Sequence, residues 1–276
     1  MHPLPSTRCR GRAMIRIADG GLPRYCFESF ARNELVHGVF TRLGGVSSAP
    51  YSTLNTGHSV GDDPASVDAN HQAIYRALGV HPTTVVTAQQ VHGDRVVIVS
   101  DAAKGQTVAE TDALVSDVPG LLLLMRFADC VPVLFYAPRQ GAVGLAHAGW
   151  QGTLKRIAAK TAQAMISAYG CSPGGLLAGL GPAIGPCCFE VGLEVAEAMR
   201  QVSPSPNRVI SRMLPGGKAH VDLWRANALQ LEEIGVTHIE VSDVCTCCHP
   251  DLFFSHRGER GHTGRFAAVI GLREAV

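Results

Sequence analysis

The sequence predicts a single mixed α/β domain, and three observations predict it. Apolar runs of strand length alternate with stretches of helical periodicity, without the steady βαβ rhythm of a doubly wound sheet. Hydrophobic residues make up 46% and charged residues 17%, which suits a large core and excludes a disordered chain or a coiled coil. Across 276 residues there is no composition break, linker or internal repeat, so residues 15–276 read as one domain. Residues 1–14 read as a disordered N-terminal extension, with Met14 as an alternative start.

The elements follow in order. Residues 37–63 open on a short β-prone run and then become rich in Gly, Ser, Asn and Pro, a long loop of the kind that carries function. Asp63 and Pro64 begin a helix as N-cap and first turn; Val67, Asn70, His71, Ile74, Ala77 and Leu78 keep its period, and Gly79 ends it. Strands are expected at 84–87, 95–99, 112–115 and 121–126. Two further apolar runs, 131–137 and 142–146, are joined by the Pro/Gly turn 138–141 and read as a hairpin. A helix from 154 to 170 is marked by Leu154, Ile157, Ala158, Thr161, Met165 and Ala168. Then come a strand at 176–180, a Gly/Pro-rich loop, a helix at 190–202 and a turn-rich connection at 204–217. Asp222 caps a helix through Ile234, and strands at 239–241 and 265–270 close the chain around an irregular loop.

Composition also limits function. The formal charge is +1 and no basic cluster lies beyond the first dozen residues, so neither nucleic acid nor a membrane surface is an expected partner. The longest apolar run, 118–125, is too short to span a bilayer, and the N-terminus lacks the apolar core of a secretory signal. Nine cysteines, an odd number, argue against a secreted disulfide framework and for reduced thiols in a cytoplasmic protein. The sequence leaves the oligomeric state unknown.

The chemistry concentrates at the hairpin. Cys130 lies just before its first run and His147 just after its second, seventeen positions apart, and antiparallel pairing brings both to one rim of the sheet. His92, in QQVHGD, shares their setting at the end of an apolar run. Two imidazoles and a thiolate make a zinc set with an open fourth position, the catalytic arrangement. Three unrelated residues are the competing reading. A thiol–imidazole nucleophile pair is another, with Cys130 attacking, His147 as base and Asp129 or another carboxylate orienting the ring.

Cys245, Cys247, Cys248 and His249 look like a metal knuckle, but neighbours cannot all turn to one ion, and no second cluster of matching spacing completes it. Vicinal Cys187 and Cys188 read as packing residues. Arg42 and Arg265, each beside glycines, are candidate anion binders against the reading of surface ion pairs. Asn55, Asp62 and Trp150 are candidate pocket residues.

Taken together, HGVFTRLGGVS, PYSTLNTGHSVGDDP, QQVHGD, FADCVPVL, AHAGWQG, GPAIGPCCFEV, DLFFSHRG and TGRFAAVI resemble the YfiH-like family, once labelled multicopper polyphenol oxidases or laccases and linked to peptidoglycan editing. The resemblance spans about residues 36–272. It implies a layered sandwich of mixed β-sheets flanked by helices, similar to the cysteine hydrolases of the cytotoxic necrotizing factor type. It implies His92, Cys130 and His147 as ligands of one Zn2+ per chain, with copper able to bind in vitro. The implied activity is zinc-dependent purine nucleoside phosphorolysis of adenosine, inosine and methylthioadenosine, with adenosine deamination beside it. Purine nucleosides and phosphate are then the partners, and Arg42, Asn55 and Arg265 the substrate-binding residues. A cysteine hydrolase or amidase acting on peptidoglycan precursors is the alternative. Laccase chemistry is disfavoured, because none of the twelve histidines are two apart, as the cluster of a multicopper oxidase requires. The sequence departs from the family at Gln151, where arginine is usual, and at His71.

Overall fold

Two mixed sheets lie face to face, and helices cover the outer side of each. The computed structural model describes residues 14–19 and 21–274. The chain begins with β1 (Met14–Asp19), β2 (Leu22–Phe27), β3 (Leu35–Phe40) and α1 (Pro64–Leu78). It continues through β4 (Val85–Ala88), β5 (Val96–Ile98), β6 (Thr107–Val108), β7 (Ala113–Ser116), β8 (Leu122–Phe127), β9 (Val131–Ala137) and β10 (Ala142–Ala148). Next are α2 (Trp150–Leu154), α3 (Ile157–Tyr169), β11 (Leu177–Leu180), β12 (Glu190–Gly192) and α4 (Leu193–Val202). The last elements are β13 (Ile210–Leu214), β14 (Lys218–Val221), α5 (Leu223–Glu233), β15 (His238–Val241) and β16 (Phe266–Leu272).

One sheet has the order β1-β2-β3-β16-β8-β4-β6 and the other β15-β11-β9-β10-β7-β5. Both are mixed: β4 runs parallel to β8 and β6, and β11 to β15, while their centres are antiparallel. A third, small sheet, β12-β14-β13, stands apart. Strand alternation fills the layers. From β10, Val143 and Leu145 point between the sheets, where they meet Leu123, Met125 and Phe127 of β8 and Phe266, Ala268 and Ile270 of β16. The other face of β10 is small: Ala142, Ala146 and Ala148 let α3 come close with Ile157, Ala158, Ala162 and Met165. A Cβ at Gly144 on that face would sit 3.0 Å from Met165 Sδ. On the outer side of the first sheet, Ile74, Tyr75 and Leu78 of α1 bury against Phe40, Leu122, Leu124 and Val269. Truncating such a buried Leu or Phe costs about 2–5 kcal/mol.

The layered mixed sandwich is therefore the fold the sequence and the resemblance imply. Helix α1 also forms as expected, with the Asp63 carboxylate accepting from Ser66 N–H at 3.0 Å and Gly79 closing it at φ 67. The hairpin forms in the register Ala142↔Ala137 to Ala148↔Val131. His147, expected just past the second strand, lies inside it, opposite Pro132.

Strands β1, β2, β6 and β14 are not among the expected ones, and three further elements differ from expectation. The helix expected at 154–170 is two, because Arg156 takes a left-handed φ of 64 where its guanidinium pairs with Glu233. The helix expected from 190 starts at Leu193, since Glu190–Gly192 pair with β14 instead. The connection at 204–217 holds β13, which pairs with β14 as an exposed ribbon; only Ala219 and Val221 bury a face, so its pattern reads as polar loop. Apart from Met14, which starts β1, the expected extension lies outside the described residues.

Candidate metal centre and its cavity

His147 shares the inner face of β10 with Val143 and Leu145, so it points between the sheets, at the rim where the core ends. Its ring lies 5.4 Å from that of Phe127. Cys130 is the residue before β9, and the hairpin register sets it beside the end of β10. His92 comes from the turn after β4, and its ring meets that of His147 at 4.8 Å, edge to face. The ligand atoms of His92, Cys130 and His147 lie within 4.8 Å of one another, a group that can hold a metal ion. Gly149 makes the room: a Cβ there would lie 2.8 Å from Cys130 Sγ and 3.2 Å from His92 Cδ2.

One carboxylate ties two of these residues together. Asp112, just before β7 and fully buried, accepts backbone N–H groups from Val91, His92 and Gly93 at 3.1, 3.0 and 2.7 Å. Those bonds hold His92 at a left-handed φ of 57. The same carboxylate stands 2.8 Å from His147 Nδ1, and its backbone carbonyl accepts the His147 N–H at 2.8 Å. Nδ1 is thereby committed, leaving Nε2 toward Cys130, the carboxylate–histidine pattern that orients metal-binding imidazoles. Burial works to raise the Asp112 pKa, but the His147 ring and these backbone donors overcome it and hold the carboxylate below its usual range.

The electrostatics follow from the same contacts. Burial pushes the Cys130 thiol up, yet the His147 and His92 rings outweigh it and bring it down to about 6. Burial pushes His147 down, yet Cys130 and Asp112 raise it to about 9. Without a metal the two form a thiolate–imidazolium pair. A metal held there would take the thiolate as it stands and would require His147 to give up its proton.

The group opens on a cavity of about 820 Å³, within the range of small-molecule sites. Arg126, Arg257 and Arg265 lie on its wall, together with Trp150 and Phe189. Arg126 and Gln90 exchange backbone–side-chain bonds at 2.8 and 3.0 Å, which fixes the end of β8 against the turn that carries His92.

The candidates from the sequence divide here. His92, Cys130, His147 and Arg265 converge on the cavity. Asp129 lines it too, but does not orient His147; that place belongs to Asp112. The Asp129 carboxylate instead accepts from Thr246 Oγ1, Ser255 Oγ and Arg257 N–H at 2.6, 2.7 and 2.6 Å, anchoring the irregular loop before β16. Arg42 does not line the cavity. Its guanidinium bonds Ser52 O, Pro250 O and Glu259, and lies 4.3 Å over the Phe254 ring, so it is a strut between loops. Asn55 is buried beneath the cavity wall, where Oδ1 accepts the Arg265 N–H at 2.8 Å and Nδ2 donates to Asp62 at 2.8 Å. Gln151 is exposed on α2, off the cavity lining, and His71 is buried against Thr56 O at 3.0 Å. Asp112 and Arg126 were not singled out from the sequence. Asp112 does share the signal that marks the ligands, a polar residue at the end of an apolar run.

Fold and site define a class: a layered α/β protein with a Cys-His2 group at the mouth of a small-molecule cavity. The chain belongs to the family described as multi-copper polyphenol oxidoreductase laccase, whose profile matches residues 36–273. It is 40% identical over 248 residues to purine nucleoside phosphorylase YlmD of Geobacillus stearothermophilus, covering 87% of this chain and 90% of that one. It is 37% identical over 232 residues to purine nucleoside phosphorylase YfiH of Escherichia coli K12, covering 84% and 91%. The crystal structure of YlmD from Geobacillus stearothermophilus superposes with a TM-score of 0.90 at 39% identity, covering 95% of this chain and 99% of that one. That of the Bacillus licheniformis hypothetical protein YfiH gives 0.88 at 35%, covering 93% and 97%.

Proposed function

We propose that this chain is a zinc-dependent purine nucleoside phosphorylase acting on adenosine, inosine and methylthioadenosine, with adenosine deamination at the same centre. The observation that carries it is the union, in one cavity, of the His92–Cys130–His147 group with guanidinium groups for phosphate. The names of the relatives supply the purine nucleosides.

The donor set fits zinc: one thiol already inclined to ionise, two imidazoles, and a carboxylate behind one of them. Zinc held by these three residues supplies Lewis acidity to an oxygen of water or substrate. The chain's own residues do the rest. Asp112 fixes the His147 tautomer and the backbone that presents His92. Arg126 and Arg265 bring positive charge to a phosphate, and a guanidinium forks onto two of its oxygens. Trp150 and Phe189 offer flat apolar surface for a base. Copper fits the same donors, but a lone Cys-His2 group without His-x-His pairs does not support laccase chemistry. Cytoplasmic residence accords with an odd count of nine cysteines, which does not suit a secreted disulfide framework; no described helix is long and apolar enough to cross a membrane.

Metal analysis paired with an adenosine-plus-phosphate assay tests the proposal. Zinc at His92, Cys130 and His147 with release of adenine or inosine supports it; zinc-loaded protein that turns over no purine nucleoside sinks it. A second reading is favoured by the thiolate–imidazolium pair backed by Asp112, which is also the machinery of a cysteine hydrolase or amidase, to be probed on peptidoglycan precursors. In that case metal-free protein stays active, and alkylation of Cys130 stops it.

A further inference from the structure

Four thiols converge at a second place, away from the cavity mouth. Cys187 and Cys188 sit in the loop after β11, and Cys245 and Cys248 in the loop after β15. Their Sγ atoms all lie within 4.8 Å of one another. Cys187 Sγ and Cys188 Sγ stand 3.5 and 3.4 Å from Cys248 Sγ. These separations are far beyond the roughly 2.05 Å of a disulfide. They approach the roughly 3.8 Å expected between two thiolates that share a tetrahedral ion at about 2.3 Å.

The backbone is built to bring them together. The loops pair through a parallel bridge between Ala183 and Cys245, with Thr246 N–H donating to Ala183 O at 2.9 Å. Gly185 N–H donates to Cys245 Sγ at 3.2 Å, the backbone-to-sulfur bond that supports a thiolate ligand. A side chain at Gly185 would crowd the cluster: its Cβ would lie 3.1 Å from Cys245 Cβ and 3.2 Å from Cys187 Sγ. Cys245 and Cys248 have the C-x2-C spacing of a knuckle. Of the run that follows, Cys247 and His249 are left out of the group, so no three neighbours need turn to one ion. The partner cluster that the sequence reading lacked is the vicinal pair, brought in from sixty residues away by the pairing of these loops.

We propose that Cys187, Cys188, Cys245 and Cys248 form a second metal site, which takes a thiophilic divalent ion such as Zn2+ in a closed, structural tetrathiolate. The site has a route for entry, because Cys187 and Cys248 are exposed while Cys245 is buried. Its position gives it a purpose. Phe189 and Glu190, directly after the vicinal pair, line the cavity, as do His256 and Arg257 from the other loop. Arg257 donates to Cys188 O at 3.4 Å and Glu190 O at 2.9 Å across the same seam. Thr246, inside the knuckle, bonds the carboxylate of Asp129, the neighbour of Cys130. An ion here staples together the two loops that make one wall of the cavity.

The test removes the first centre and counts what remains. Protein carrying Cys130→Ala and His147→Ala, purified under reducing conditions, should retain one zinc per chain. Adding Cys245→Ser and Cys248→Ser should take that zinc away. Cd2+ added to metal-free Cys130→Ala/His147→Ala protein should bind at one equivalent and produce thiolate-to-metal ultraviolet absorption. Zinc-free Cys130→Ala/His147→Ala protein that also fails to bind Cd2+ overturns the site, as does a disulfide among these four cysteines in the freshly reduced wild type. Should the four-fold variant not fold, Cys187→Ser/Cys188→Ser in the same background gives an independent count. Either outcome is independent of whether the cavity acts on nucleosides.

Discussion

The His92–Cys130–His147 group and the four-thiol group each gather their ligand atoms within 4.8 Å, yet by opposite means. The first is carried by ends of sheet strands and a turn clamped by Asp112, with the intersheet core directly behind it. The second is carried wholly by loops, held by a single bridge and a few bonds. The first faces a cavity; the second is closed on itself. A centre on rigid strand ends is preorganised and free to leave a position open for chemistry. A centre on loops lends its ion's bonds to the loops, and its worth is structural.

The largest effect expected is at the first centre. Cys130→Ala should remove its zinc and leave no measurable nucleoside turnover, while far-UV circular dichroism stays native. Zinc analysis beside the phosphorylase assay checks both, and full activity in this variant would break the contrast. Asp112→Asn comes next. It keeps shape but weakens the hold on His147, so zinc affinity in chelator competition, or activity, should fall about 10–100-fold. Asp129→Asn should leave that affinity unchanged, because Asp129 holds a loop and not an imidazole.

The arginines sharpen the comparison further. Arg265→Ala should raise the KM for phosphate by about tenfold, the equivalent of about 1.4 kcal/mol, with little change in thermal midpoint. Arg42→Ala should do the reverse: about 1–3 kcal/mol of stability lost with its three part-buried or exposed bonds, and an unaltered phosphate KM. Equal effects of the two on KM would refute the placement of Arg42 as a strut.

Acid acts on the fold as a whole, and its sign is fixed. Burial lowers His37 and His71 from 6.5 to about 4. The unfolded chain therefore binds protons that the folded one refuses. Their contribution is intact above about pH 6.5, is lost progressively as pH falls toward 4, and levels off below it, on the order of 3 kcal/mol for each. Urea midpoints between pH 7 and pH 4 should show the decline, and His37→Phe should flatten it; an unchanged slope would remove His37 from the account.

Much of this was legible in the residues. The hairpin, its turn and the Cys130–His147 juxtaposition follow from apolar runs and antiparallel pairing, and α1 from its cap, its period and Gly79. The β13–β14 ribbon was not legible, because one thinly buried face leaves no alternation to read. Nor was the break at Arg156, a non-glycine residue at a left-handed φ of 64 that no local residue pattern announces. Arg42 and Asn55 look like Arg265 in sequence, polar residues among glycines, and only their contacts separate strut and buried support from cavity wall.

Sequence by itself determined the mixed α/β class, the family and the three candidate ligands, since local periodicity and short motifs are properties of neighbouring residues. Tertiary structure alone decided which carboxylate stands behind His147, which arginines reach the cavity, and that Cys187 and Cys188 meet Cys245 and Cys248. Each of these is a contact between segments whose approach is set by sheet register and layer packing, and a linear pattern carries no record of either.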